Sequence, residues 1–263
     1  MYISHECPRC LLEESRLFNN FEYALVHLFS EDSEYLEFYK ESLRMGRTVY
    51  LDNSIFEKEE MFDHDEFAYW VKELGSINPD NFYYIVPDEL EECKNTIDSF
   101  KKWCLKYNNL PGKKIGVVQG KNLEELLECY FFMADCADRV AISFDYSYYN
   151  KQFPNAKNKW EGWMLGRQEF VQYLVDNELD YVDVHLLGCG LPQEFKYYKD
   201  MSFIVSCDTS NPIVMGMLGH RYTENGLDFK ESIKLVDLFE AELDNNQHNN
   251  IKHNIMEFKK FLK

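Results

Sequence analysis

The chain has 263 residues, enough for one large domain with a full core. Its formal net charge of −18 argues against a strong non-specific nucleic-acid binder, because neutralising phosphates needs clustered Lys and Arg. The opening MYISHECPRC has no basic region followed by an apolar stretch, and the longest apolar runs are strand-sized. Neither a secretory signal nor a transmembrane helix is expected, and a cytoplasmic location with all eight cysteines kept as thiols is the expectation.

In chain order, short apolar, β-branched or aromatic runs alternate with longer amphipathic segments, the pattern of βα units around a parallel sheet. The runs predict strands at Met1–Ser4, Tyr23–Phe29, Thr48–Asp52, Phe82–Val86, Ile115–Gln119, Arg139–Phe144, Tyr181–Leu187 and Ser202–Ser206. Apolar residues at three- and four-residue spacings predict helices at Ser33–Met45, Asp65–Leu74, Leu90–Tyr107, Leu123–Ala134 and Trp160–Val175. A short helix is predicted at Leu191–Lys199, and two more at Phe229–Leu243 and Ile251–Leu262, with the Asn-rich Asp244–Asn250 as a loop between them. Eight strands with intervening helices point to an α/β fold, a single-domain (β/α)8 TIM barrel over 1–263 with 227–263 as a C-terminal helical extension. An open doubly wound sheet is the competing architecture.

Polar groups stand where these apolar runs stop. Asp52 ends TVYLD, Asp88 follows YYIVP, Gln119 ends IGVVQ, Gly188 and Gly190 follow HLL, and Asp208 follows FIVSC. One such Asp is ordinarily a helix cap or a turn residue. In a barrel, however, all carboxyl ends of strands converge on the face where active sites are built. Converging carboxylates suit a Mg²⁺ or Mn²⁺ site, or glycosyl chemistry, in which one carboxylate attacks the anomeric carbon and another moves protons. No dense His/Asp/Glu ligand cluster accompanies these acids, which favours glycosyl chemistry with no metal and no cofactor.

At these residues the sequence resembles the tRNA-guanine transglycosylases, from about Thr48 to Pro212. The family's Asp-Ser-Gly-Gly-aromatic motif reads Asp52-Asn53-Ser54-Ile55-Phe56, and its apolar run closed by Asp-Glu reads YYIVPDEL with Asp88 and Glu89. Its Gly-x-Val-Gln-Gly motif is intact as Gly116 to Gly120, its Leu-x-Gly-x-Gly-x-Pro motif matches Leu186 to Pro192, and its nucleophile motif reads Asp208-Thr209-Ser210-Asn211-Pro212. The resemblance implies that Asp208 attacks C1′ of the target nucleoside and that Asp52 is the general base and acid. It further implies that Asp88 binds the N–H edge of the base, that Gln119 and the Gly120 N–H read its carbonyl oxygen, and that Phe56 and Leu187 sandwich it beside Gly188.

Departures from the family are equally specific. Ser54 and Ile55 replace the first motif's glycines, Ser143-Phe144 stands where the family has Gly-Glu, and Ile213, Val214 and Met215 replace basic residues of tRNA-acting members. No cysteine follows Cys207, so the family's C-terminal zinc motif is absent. A shortened, zinc-less form is similar to phage and bacterial relatives that insert 7-deazaguanines into DNA. The resemblance therefore implies guanine exchange for a free 7-deazaguanine such as preQ0 or preQ1, in DNA by preference and in tRNA as the alternative. A nucleoside-level glycosylase or transferase and a non-catalytic binding subunit stay open as further readings. Family members often pair, which leaves a homodimer open.

Other features have plainer readings beside functional ones. Cys7 and Cys10 form a lone C-x-x-C near His5, short of the four ligands a structural zinc needs. His185 is either a pocket residue or a satisfied barrel histidine. Asp145, Tyr146, Tyr148 and Tyr149 read as a stacking platform or as a loop over the barrel mouth, and Gly166-Arg167 as a phosphate contact or, more plainly, a helix-surface arginine. The lysines of Asn150–Lys159 and Ile251–Lys263 read as solvated surface or as backbone contacts.

Overall fold

The computed structural model describes residues 1–58 and 62–263. Eight parallel strands alternate with helices along the chain, which makes the fold a (β/α)8 barrel. The strands are β1 (Tyr2–His5), β2 (Glu22–Leu25), β3 (Val49–Asp52), β4 (Phe82–Ile85), β5 (Lys113–Val118), β6 (Arg139–Ser143), β7 (Val184–Leu187) and β8 (Ile204–Thr209). The α-helices are α1 (Leu12–Ser15), α2 (Ser33–Arg44), α3 (Ile55–Lys58), α4 (His64–Gly75), α5 (Cys93–Lys106), α6 (Leu123–Cys136), α7 (Ser147–Gln152), α8 (Lys159–Asp176), α9 (Asn211–Met217) and α10 (Asn245–Phe261). The chain divides into two compact units, Asn20–Ile142 and the combination of Met1–Asn19 with Ser143–Lys263.

In the unit Asn20–Ile142, β2 to β6 pair in sequence order, each parallel to the next. Both faces of these strands are covered, so they read as apolar runs rather than alternating ones. Helices begin where side chains satisfy free backbone N–H groups. Asp32 accepts from the backbone of Glu34 and Tyr35 at 2.9 and 3.0 Å to start α2, and Asn122 accepts from Glu125 N at 3.0 Å to start α6. Tyr35, Phe38, Tyr39 and Leu43 then form the buried stripe of α2.

In the other unit β8 lies between β1 and β7. A register shift between Val184 and His185 interrupts the β7–β8 ladder at the first residue of β7. Asp244 caps α10 by accepting from Asn246 N and Gln247 N at 2.7 and 2.8 Å, while Gln247 Oε1 accepts from Asp244 N at 2.9 Å. The Asn-rich stretch expected to be a loop is therefore the first turns of α10, made helical by this reciprocal cap. Phe229–Leu243 is not the predicted helix. Its only regular turn is a 3-10 turn at Leu235–Leu238, and Ile233, Leu235, Leu238, Ala241 and Leu243 instead lay an irregular strap on the apolar cluster of Leu11, Ile213, Val214 and Ile251. Leu191–Lys199 likewise forms a 3-10 turn, at Pro192–Tyr197. No described helix is long and apolar enough to cross a membrane.

Candidate active site

Each unit carries one polar cluster at the carboxyl ends of its strands. In the unit Asn20–Ile142 the centre is Asp88, three residues past the end of β4 and only 3% exposed. Its Oδ1 accepts from Asn53 Nδ2 at 2.7 Å and its Oδ2 from Gln119 Nε2 at 2.7 Å. Neither amide is free to turn over. Asn53 Oδ1 accepts from Ile55 N at 3.1 Å, and Gln119 Oε1 accepts from Glu91 N at 2.8 Å. Burial pushes the Asp88 carboxyl above its ordinary pKa, and the two amide donors pull part of the way back.

The loops that present these groups are under backbone constraint. Ser54 and Glu91 hold φ of 62° and 58°, the left-handed region that costs a residue with a Cβ. Asp52 is half-buried as the last residue of β3, directly before Asn53, and Phe56 is 38% exposed on α3. Gly120 is buried where an added Cβ would stand 2.8 Å from Leu126 N, so this turn closes onto the start of α6 only with glycine.

In the other unit the centre is Asp208, 4% exposed. It lies inside β8 rather than after the strand, because Cys207, Asp208 and Thr209 continue the ladder with β1. Its Oδ1 is 2.9 Å from His185 Nε2, and His185 Nδ1 is 2.9 Å from Ser206 Oγ. The Gly188 N–H lies between both carboxylate oxygens, at 3.2 and 3.3 Å. Gly188 takes φ of 66°, and a Cβ there would meet the Phe144 ring at 2.6 Å.

Behind this turn is a buried ion pair. Arg167 on α8 is fully buried and forks onto Glu194 at 2.6 and 3.1 Å, while its other N–H groups donate to the carbonyls of Leu187 at 2.9 Å and Gly188 at 3.1 Å. Tyr198 donates to Glu194 at 2.7 Å. Burial disfavours the Arg167 charge, and Glu194 and Tyr198 more than offset it, so the guanidinium stays charged. The expectation of a helix-surface arginine is thus overturned: the Gly162 and Gly166 side of α8 packs on α7, where a Cβ at Gly166 would meet Tyr149 at 2.2 Å, and Arg167 is buried with them.

Lys230, from the irregular strap, donates to Cys189 O at 3.3 Å and stands 5.2 Å from the Phe144 ring centre and 5.6 Å from that of Trp160. Burial lowers its pKa, against Cys189 and the carboxylates of Glu6, Asp145 and Asp208. Of the Tyr-rich segment after β6, Tyr148 and Tyr149 lie in α7 and Asp145 and Tyr146 precede it; Tyr146 and Tyr149 are buried, and Tyr146 Oη accepts from Ser143 N at 3.1 Å.

Among the expected site residues, Asp88 and Gln119 are brought together, as are Gly188 and Asp208. Leu187 is half-buried, its carbonyl held by Arg167. Sequence reasoning gave no role to Asn53, Glu194 or Ser206, and did not pair Arg167 with Glu194. Asn53 lies inside the first motif and could have been weighed there; Arg167 and Glu194 are 27 residues apart and no local pattern joins them. Cys7 Sγ and Cys10 Sγ face separate carbonyls, His5 O at 3.2 Å and Ala241 O at 3.3 Å. Among the described residues no group of three or more His, Cys, Asp or Glu is arranged to hold a metal ion. No protein-family model and no curated protein matches the chain.

Proposed function

We propose that the chain is a base-exchange transglycosylase, similar in kind to the tRNA-guanine transglycosylases, that replaces guanine in nucleic acid with a free 7-deazaguanine, with DNA as the favoured polymer. The observation that carries this reading is the state of Asp208: a buried carboxylate at a barrel strand end, oriented by an imidazole and a backbone N–H. Ser54 adds support, since it holds left-handed backbone at a position where the resembled motif has glycine.

In this reading an Asp208 oxygen attacks C1′ of the target nucleotide, the bond from C1′ to the purine nitrogen breaks, and the electron pair leaves on the base, which takes a proton from Asp52. The incoming base gives its proton to Asp52 and attacks C1′, releasing Asp208. Asp88, with acceptor lone pairs remaining beyond its two amide bonds, takes the N–H edge of the base. Gln119 and the Gly120 N–H read the carbonyl oxygen, and Phe56 and Leu187 cover the faces beside Gly188. The target nucleotide has to leave its stack to be reached.

The test is incorporation of labelled guanine into DNA and into tRNA. Wild-type protein labels one polymer and Asp208→Ala labels neither. Label entering tRNA alone moves the substrate to tRNA. Absence of label in both polymers, with base released from free deoxynucleosides, replaces the reading with a nucleoside-level enzyme; binding of a polymer with no covalent adduct replaces it with a binding protein.

A further inference from the structure

The surroundings of Asp208 are asymmetric in a way the exchange reaction can use. The Gly188 N–H is shared almost equally by the two carboxylate oxygens, at 3.2 and 3.3 Å. Among the described residues only Oδ1 has a second partner, His185 Nε2 at 2.9 Å. His185 is fully buried, and its other nitrogen faces Ser206 Oγ at 2.9 Å.

An ionised carboxylate only accepts, so the nitrogen facing Oδ1 must carry the proton. That leaves Nδ1 as the acceptor for the Ser206 hydroxyl in the neutral ring. The register β7 to β8 sets this up, for His185 pairs with Ser206 across the ladder and Asp208 follows two residues on, on the same face. The Arg167 fork on the Leu187 and Gly188 carbonyls fixes the third member, the Gly188 N–H.

We infer that His185, set in its Nε2–H tautomer by Ser206, is a positioning residue that reserves Oδ1 of Asp208 as the carbonyl oxygen of the covalent ester and leaves Oδ2 as the attacking atom. This rests on the transglycosylase reading. The Oδ2–C1′ bond forms as the C1′–base bond breaks, and the leaving base carries off the electron pair and takes the proton from Asp52. Oδ1 then becomes a double-bonded ester oxygen that keeps the His185 hydrogen bond. When the incoming base attacks, the Oδ2–C1′ bond breaks, its electron pair returns to the carboxylate, and the same donor stabilises the charge that reappears. His185 accepts and releases no proton in either step.

Two measurements on the full chain test this. In the first, nitrogen-15 spectra of the histidines in wild-type protein and in Ser206→Ala are compared without substrate. The inference expects a single Nε2–H tautomer for His185 in the wild type and a mixed population in Ser206→Ala; an Nδ1–H tautomer in the wild type overturns it. In the second, labelled-guanine exchange is followed for wild type, His185→Gln, His185→Leu and Asp208→Asn. Gln presents an N–H where Nε2 stood, so kcat should stay within about tenfold of wild type, whereas Leu should lower kcat by about 10²–10³, as loss of one preorganised donor does, with KM for guanine within about threefold. Equal kcat for His185→Leu and wild type overturns the inference while Asp208→Asn, if dead, preserves the nucleophile. No exchange by wild type with any DNA or tRNA removes the underlying reading and this inference with it. Should His185→Leu not fold, the tautomer spectra and His185→Gln still decide.

Discussion

His5 offers a measurable consequence of a buried group that no acid or base chemistry uses. It ends β1 fully buried, with the Phe18 ring 5.9 Å and the Phe258 ring 5.6 Å from its own, and neither ring nitrogen has a hydrogen bond of full geometry. Burial, helped by the Lys259 charge and offset in part by the Thr209 backbone, lowers its pKa from 6.5 to about 3. The sign follows from which state takes the proton. Between these values the unfolded chain binds a proton that the folded chain refuses, so stability is complete above pH 6.5, falls as pH drops through the window, and stops falling near pH 3. The full window is worth about 4–5 kcal/mol, and about 2 kcal/mol of it is gone by about pH 5. His27, lowered to about 4 by burial and by Lys58, works in the same direction. Substituting His5→Leu puts an apolar group of similar volume between the two rings and removes only the His5 share. Urea unfolding followed by circular dichroism at about pH 7.5 and about pH 5 gives the difference directly. The wild type should lose about 2 kcal/mol more than His5→Leu over that interval. Parallel losses in the two proteins would refute the argument.

Five further substitutions, at four positions, have defined outcomes. Arg167→Met strands the buried Glu194 carboxylate and should cost about 3–5 kcal/mol in urea unfolding; Arg167→Lys should recover little, because an ammonium cannot fork onto Glu194 and reach both carbonyls. Asp88→Asn should cost about 1–3 kcal/mol, since Asn53 and Gln119 are each pinned through their oxygens and one N–H must then face another; a neutral result would mean those amides turn over freely. Gly188→Ala combines left-handed backbone with a contact to Phe144 and should lower the melting temperature by several degrees, about 2 kcal/mol or more, whereas Gly219→Ala, also left-handed but with nothing within 4 Å, should cost only the backbone part, about 1 kcal/mol.

The alternation of apolar runs and amphipathic segments made the barrel legible, because period and length distinguish strand from helix without knowledge of contacts. Boundaries failed where burial and regular structure part company. Val26–Leu28 is buried, with Val26 and Leu28 apolar, yet it turns as a 3-10 helix after β2 ends at Leu25. β8 runs on through Cys207, Asp208 and Thr209, since polar side chains with partners in the fold are tolerated in a ladder. Phe229–Leu243 has helical spacing over one turn only, and its apolar residues are spent on an irregular strap. The strand-end acids were visible as interruptions of apolar runs. Their partners were not: His185 looks like any alternating strand residue until β8 is laid beside it, and Arg167 is surrounded on its helix by residues of both characters until Glu194 is brought to it.

The Arg167 fork also couples the Gly188 turn to the docking of α8. Its anchors come from α8, from the end of β7 and from the turn at Glu194, and the Gly188 N–H meets Asp208 only when that turn is clamped. A chain whose α8 has not yet docked holds an Asp208 with a misaimed backbone donor. The aim of the Gly188 N–H at this carboxylate thus depends on packing made by a helix more than twenty residues earlier in the chain.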